Sequence, residues 1–139
     1  MEHRGSCHCG ALRVSYRSAV PPGETEVRAC QCSFCRRHGS RAISDPGGRV
    51  VIEAEARALN RYRFGLGTAD YFLCARCGVY LAAVMTEGER AWSVVIVNAL
   101  DDAESFARPP MPMVYDAEDE AARRARRRAK WTPTEVRVR

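Results

Sequence analysis

The residues able to do chemistry are cysteines, and they come in three tight groups: Cys7 and Cys9, then Cys30, Cys32 and Cys35, then Cys74 and Cys77. All seven thiols of the chain fall in these groups and none stands alone. The opening segment MEHRGSCHCG is polar and lacks the apolar stretch of a secretory leader, so a cytoplasmic location is expected. In a reducing compartment, clustered cysteines point to metal or catalysis before disulfides. Tetrahedral zinc, with Zn–S near about 2.3 Å, requires thiolates roughly 3.7–3.8 Å apart. A C-x-C pair approaches that spacing from an extended strand, where residues i and i+2 share a face. A C-x-x-C pair does so around a tight knuckle. Gly10 after Cys9 and Gly78 after Cys77 can supply the left-handed turn that each such half-site wants.

Together the two glycine-terminated pairs would make a closed set of four thiolates, the composition of structural zinc. Cys30, Cys32 and Cys35 then stand as a three-ligand set with an open fourth position, the pattern of catalytic zinc. Four plus three uses every cysteine. Spacing alone leaves other partitions open: Cys7, Cys9, Cys30 and Cys32 could share one site, with Cys35 joining Cys74 and Cys77. An iron–sulfur cluster is also compatible with clustered cysteines. A thioredoxin-type dithiol at Cys74 and Cys77 is disfavoured, because Val79–Met85 reads as a strand where that motif needs a helix.

The elements that must position these groups read as strands. Residues 11–17 alternate apolar and polar, with Leu12, Val14 and Tyr16 on one face. Further strands are expected at Val50–Ala54, 58–64, Tyr71–Cys74, Val79–Met85 and Ala91–Val97, separated by turn signals such as PPGE, DPGG and GLG. The pattern is that of a mainly β protein. The RRHGSR segment after the triple-cysteine group looks like a basic loop. RPPMPM at 108–113 is a proline-rich break, and Asp116–Lys130 carries helix formers with acids first and arginines last, as the helix dipole favours. The expected organisation is a zinc-binding domain over residues 1–115 and a basic C-terminal helical extension over 116–139.

At 139 residues with a net charge of +5, the chain is read as one modest globular unit. No apolar run is long enough for a membrane helix, and no membrane partner is expected. Residues 116–139 hold eight basic and five acidic residues. That patch could serve nucleic acid. Only Lys130 among the 22 basic residues is lysine, however, a bias that reflects genome composition as readily as a phosphate partner.

The segments GSCHCGALRVSY, ACQCSFCRRHGS and YRFGLGTADYFLCARCGVYL resemble the glutathione-dependent formaldehyde-activating enzyme family, which also includes centromere protein V. The resemblance implies a β-tent fold of small antiparallel sheets. It implies structural zinc at Cys7, Cys9, Cys74 and Cys77 and catalytic zinc at Cys30, Cys32 and Cys35, two ions per chain with the second more labile. It also implies a carbon–sulfur lyase activity that adds glutathione to formaldehyde. Glutathione carries carboxylates, so Arg36 and Arg37 are the first candidate docking cations, with Arg61 and Arg63 next. His38 is a candidate proton shuttle, whereas His8, between two same-face ligands, is expected to point away from the metal and His3 to be a bystander. Trp92 and Phe106 are expected to fill the core or cover a pocket wall rather than bind a cofactor. The competing reading is a non-catalytic zinc module that uses its basic helix to hold an acidic partner or nucleic acid.

Overall fold

Alternating residues in two neighbouring strands set the centre of the fold. Leu12, Val14 and Tyr16 lie opposite Ala54, Ile52 and Val50, and all six are buried. The computed structural model describes all of residues 1–139. Its elements run β1 (Glu2–Ser6), β2 (Leu12–Arg17), β3 (Arg28–Cys30), α1 (Ser33–His38), β4 (Ala42–Ile43), β5 (Arg49–Ala54) and β6 (Leu59–Tyr62). They continue with β7 (Asp70–Cys74), β8 (Tyr80–Glu87), β9 (Arg90–Ile96), β10 (Met111–Met113), α2 (Glu120–Lys130) and β11 (Thr132–Val138). The protein is mainly β, as the strand pattern predicted.

The strands form one hydrogen-bonded path, β1-β2-β5-β11-β9-β4-β3-β10, with β8, β7 and β6 added in succession beyond β9. Two pairings, β5 with β11 and β3 with β10, are parallel and the remainder antiparallel, so the sheet is mixed. β11 joins two wings: Thr134–Val138 pair with β5, whereas Thr132 and Pro133 pair with β9. A parallel neighbour requires a crossover, and between β5 and β11 it runs through every element from β6 to α2. No helix is long and apolar enough to cross a membrane.

Four segments differ from expectation. The basic loop after Cys35 is the short helix α1: Cys32 caps it, its sulfur accepting from the Cys35 N–H at 3.4 Å, and Gly39 closes it at φ 57°. Arg36, Arg37 and His38 then sit at its negative end. The expected helix over 116–130 begins only at Glu120, because Asp119 is its cap, accepting from the Ala122 N–H at 2.8 Å. Residues 132–138 are not extension but a strand within the sheet, which the alternation TPTEVRV allows. In the proline-rich break, Met111–Met113 adds an edge strand, the place where a sheet tolerates Pro112.

The main core gathers residues from β2, β5, β8 and β9 together with Val27 and Phe106. A smaller cluster of Ala69, Ala83, Met85, Trp92, Val94 and Trp131 lies where β8 and β9 meet the end of α2. Trp92 and Phe106 are thus core residues, as expected. His3, expected to be a bystander, is buried with its Nδ1 2.6 Å from Asp102 Oδ2, which ties β1 to the segment after β9.

At Gly5 on β1 the backbone of Ala99 comes so close that an added Cβ would meet its carbonyl oxygen at 2.2 Å. Gly5→Ala is expected to destabilise the fold by about 1–3 kcal/mol through this overpacking. Urea denaturation measures it, and an unchanged midpoint would refute the close-approach account.

Candidate functional site

Two turns of the same design bring the first cysteine group together. In one, the Cys7 N–H donates to Leu12 O at 2.9 Å and the Gly10 N–H to Cys7 O at 3.2 Å. In the other, the Cys74 N–H donates to Val79 O at 3.0 Å and the Gly78 N–H to Cys74 O at 2.8 Å. Gly10 and Gly78 take φ of 84° and 81°, the left-handed conformation open to glycine at little cost. The sulfurs of Cys7, Cys9, Cys74 and Cys77 all lie within 4.8 Å of one another. Cys7 Sγ to Cys9 Sγ is 3.7 Å and Cys9 Sγ to Cys74 Sγ is 3.6 Å, close to the roughly 3.7–3.8 Å edge of a tetrahedral zinc–thiolate site. The Leu12 N–H donates to Cys7 Sγ at 3.3 Å.

The second group is separate. Cys30 at the end of β3, Cys32 capping α1 and Cys35 within it bring their three sulfurs within 4.8 Å, with no fourth His, Cys, Asp or Glu in the group. The alternative partition, with Cys30 and Cys32 joining Cys7 and Cys9, is not the arrangement found. Within the triad the proximity of Cys35 holds Cys30 below the ordinary thiol range, and the proximity of Cys30 pushes Cys35 above it. One negative charge is therefore already favoured here, and the set of sulfur donors suits a soft cation such as zinc.

Phe34, projecting from α1, fixes this triad against the rest of the sheet. Its ring lies 5.0–5.6 Å from those of Tyr62, Phe64, Tyr71 and Tyr80, and 4.6 Å from His38. Beside the triad is a cavity of about 60 Å³. Cys30 and Cys35 form one wall with Arg28 beside them on β3, Tyr71 and Tyr80 another, and Tyr115, Arg126, Arg127 and Trp131 close it from the C-terminal side. Burial pushes Tyr71 up to about 12 and Tyr80 well above the usual phenol range, so both stay protonated O–H donors at neutral pH.

The cations anticipated from the sequence lie elsewhere. Arg36 and Arg37 are exposed on α1 and turn back onto it, Arg36 Nε donating to Gln31 O at 2.9 Å and Arg37 Nη1 to Ser33 O at 3.2 Å. Neither lines the cavity. Arg63 pairs with Asp70, and Arg61 lies 5.6 Å over the Phe72 ring. His38 is exposed but stays against Phe34 and Tyr80, whereas His8 is an exposed residue outside both sulfur groups. Arg126 and Arg127 were missed because they come from the end of the chain, more than ninety positions from Cys35 in the case of Arg127. Tyr71 and Tyr80 were within reach of pattern reading: they flank the C-x-x-C turn on adjoining strands.

Cys74→Ser is expected to lower metal content by about one equivalent and to abolish cooperative unfolding, since structural zinc contributes folding energy outright. Cys35→Ser should lose its own equivalent and keep the fold. Elemental analysis with thermal denaturation reads both, and a Cys35→Ser protein that unfolds would refute the division of roles.

The geometry agrees with what the chain resembles. A sequence model described as glutathione-dependent formaldehyde-activating enzyme matches residues 2–117. A solved protein from Rhodobacter sphaeroides is 31% identical, superposes with a TM-score of 0.58, and is matched over 81% of this chain and 99% of its own. The matched region contains every cysteine and stops just short of α2, whereas the sheet continues to β11. The chain belongs to the glutathione-dependent formaldehyde-activating enzyme family.

Proposed function

We propose that the protein is a zinc-dependent enzyme of carbon–sulfur lyase type, joining a thiol, glutathione, to a small aldehyde such as formaldehyde. The observation that carries this reading is the triad of Cys30, Cys32 and Cys35: three sulfurs with no fourth protein ligand, opening onto a cavity. The family description supports the choice of substrates. The four-sulfur group, closed by count, is read as structural zinc, and the triad as the more labile catalytic site.

A zinc ion here would be held by Cys30, Cys32 and Cys35; with three thiolates its net charge would be −1, and it would supply an open position suited to an incoming thiol in its thiolate form. The protein does the rest. Cys32 is set by the cap of α1 and Cys35 by the helix itself, which aims the open side toward the cavity. As sulfur attacks the aldehyde carbon, the carbonyl oxygen gains negative charge. The Tyr71 and Tyr80 hydroxyls are the O–H donors available to it before it takes a proton to give the hydroxymethyl thioether. Arg36 and Arg37 remain candidates only for the outer reach of a peptide thiol.

The rival reading, a module binding nucleic acid through its basic helix, meets an obstacle in the pairing of that helix. Arg123 and Arg126 reach Glu118, Arg124 reaches Glu87 and Glu120, and Arg128 reaches Glu87. Few of its cations are left for a phosphate backbone.

Exchange between ¹³C-formaldehyde with glutathione and the adduct, followed by NMR, tests the reaction. Catalytic amounts of protein should accelerate exchange, and Cys35→Ser should return it to the uncatalysed rate. Acceleration that survives Cys35→Ser would overturn the assignment.

A further inference from the structure

Arg127 is the anomaly of the C-terminal helix. The other four arginines of α2 each reach a carboxylate, and Arg127 reaches none. It is also the one that is buried, 5% exposed. Its Nη1 donates to Thr68 Oγ1 at 2.7 Å and its guanidinium lies 4.6 Å over the Trp131 ring, but its Nε has no partner. An arginine stays charged at any ordinary pH, and a buried cation without an anion is costly. Such a group is usually matched by something that the chain itself does not provide.

Its place supplies the match. Arg127 lines the cavity that Cys30 and Cys35 line from the other side. Two other arginines line it. Arg28 donates to Ser44 Oγ at 2.6 Å and lies 4.0 Å from Glu26, and Arg126 is held by two hydrogen bonds to Glu118, at 2.7 and 3.0 Å, and stacks on Tyr115 at 3.6 Å. Arg126 is neutralised and Arg127 is not. We propose that Arg127 is an anion anchor, receiving the carboxylate of one of the two reactants and holding it across the cavity from Cys30, Cys32 and Cys35. The role rests on the thiol–aldehyde reaction proposed above and narrows its substrate class. At about 60 Å³ the cavity takes only a few water-sized groups. That suits a two-carbon aldehyde acid, or the glycine end of glutathione, rather than a whole tripeptide.

Titrations of the metal-loaded protein, read by tryptophan fluorescence, test this, since Trp131 stacks on the guanidinium and lines the cavity. The probes are glyoxylate, its neutral counterpart glycolaldehyde, and S-methylglutathione, which keeps both carboxylates without a free thiol. Glyoxylate or S-methylglutathione should bind saturably, and whichever does so identifies the source of the carboxylate. Glycolaldehyde should bind at least about tenfold more weakly than glyoxylate if the small acid is the occupant. Arg127→Met should weaken carboxylate binding by about tenfold or more, Arg127→Lys by less, and both should keep their zinc. Removal of an unpaired buried charge is expected to leave the melting temperature of Arg127→Met equal or higher.

Three results would overturn the anchor: no carboxylate binding to the wild type, binding that Arg127→Met leaves unchanged, or loss of zinc from Arg127→Met with carboxylate binding intact. The last would make Arg127 a counter-charge to the thiolates. Catalysed glutathione–formaldehyde exchange without Arg127-dependent carboxylate binding would retain the reaction and remove the anchor. Carboxylate binding without exchange would do the reverse.

Discussion

Four cysteine sulfurs from two turns, with Cys9 and Cys74 separated by 65 positions, meet at the edge of the core within 4.8 Å of one another, Cys9 lying 3.7 Å from Cys7 and 3.6 Å from Cys74. Thiolates that close repel unless a cation or shared protons lie between them, so this meeting is the most demanding contact in the fold. Much else follows from it. The turn after β1 and the turn between β7 and β8 must face each other, which places β1 and β2 at one wing and β6 to β8 at the other. Buried Cys7 and Cys74 join the main core, so the same residues that would hold a cation also continue the apolar packing. A chain of 139 residues has only a modest core, and a cross-link of this kind adds stability without adding volume.

The triad of Cys30, Cys32 and Cys35 obeys a different constraint. Its three sulfurs come from six consecutive positions, so local backbone suffices to gather them: a strand end, a helix cap and one helical turn. What local backbone does not supply is a surround. Phe34 brings α1 against four aromatic rings from β6, β7, β8 and the segment after β6, and α2 with Trp131 completes the far wall. The closed and open groups differ in this way: one knits distant segments together, and the other is presented by them.

The C-terminal segment has a larger part than its composition suggests. It is rich in arginine and reads as a surface appendage, yet β11 stands inside the sheet, and α2 is anchored where Ser44 Oγ donates to Lys130 O at 2.8 Å and the Asp45 N–H to Thr132 Oγ1 at 2.8 Å. Ion pairs to Glu87 hold the helix across the β8–β9 hairpin. Exposed pairs of this kind are each worth little, about 0–1 kcal/mol. Their effect is directional: they turn one face of α2, with Arg127 and the adjacent Trp131, toward the cavity.

By itself, the sequence determined the strands from β5 to β9, the mainly β class and the identity of the seven sulfur donors, because alternation and C-x-C or C-x-x-C spacing are local properties of the chain. It determined the two glycine turns for the same reason, since a left-handed residue is needed wherever such a pair curls. The partition into four and three was open from spacing and closed only in three dimensions, where Cys9 meets Cys74 and not Cys30. α1 was hidden because a six-residue helix owes its existence to a sulfur cap and a glycine stop rather than to any periodicity. β11 and the cavity wall were invisible for the reason that matters most to function. Which arginine is paired and which is buried depends on Glu118, Glu87 and Thr68, residues that sequence order scatters and only the folded sheet brings to the same side.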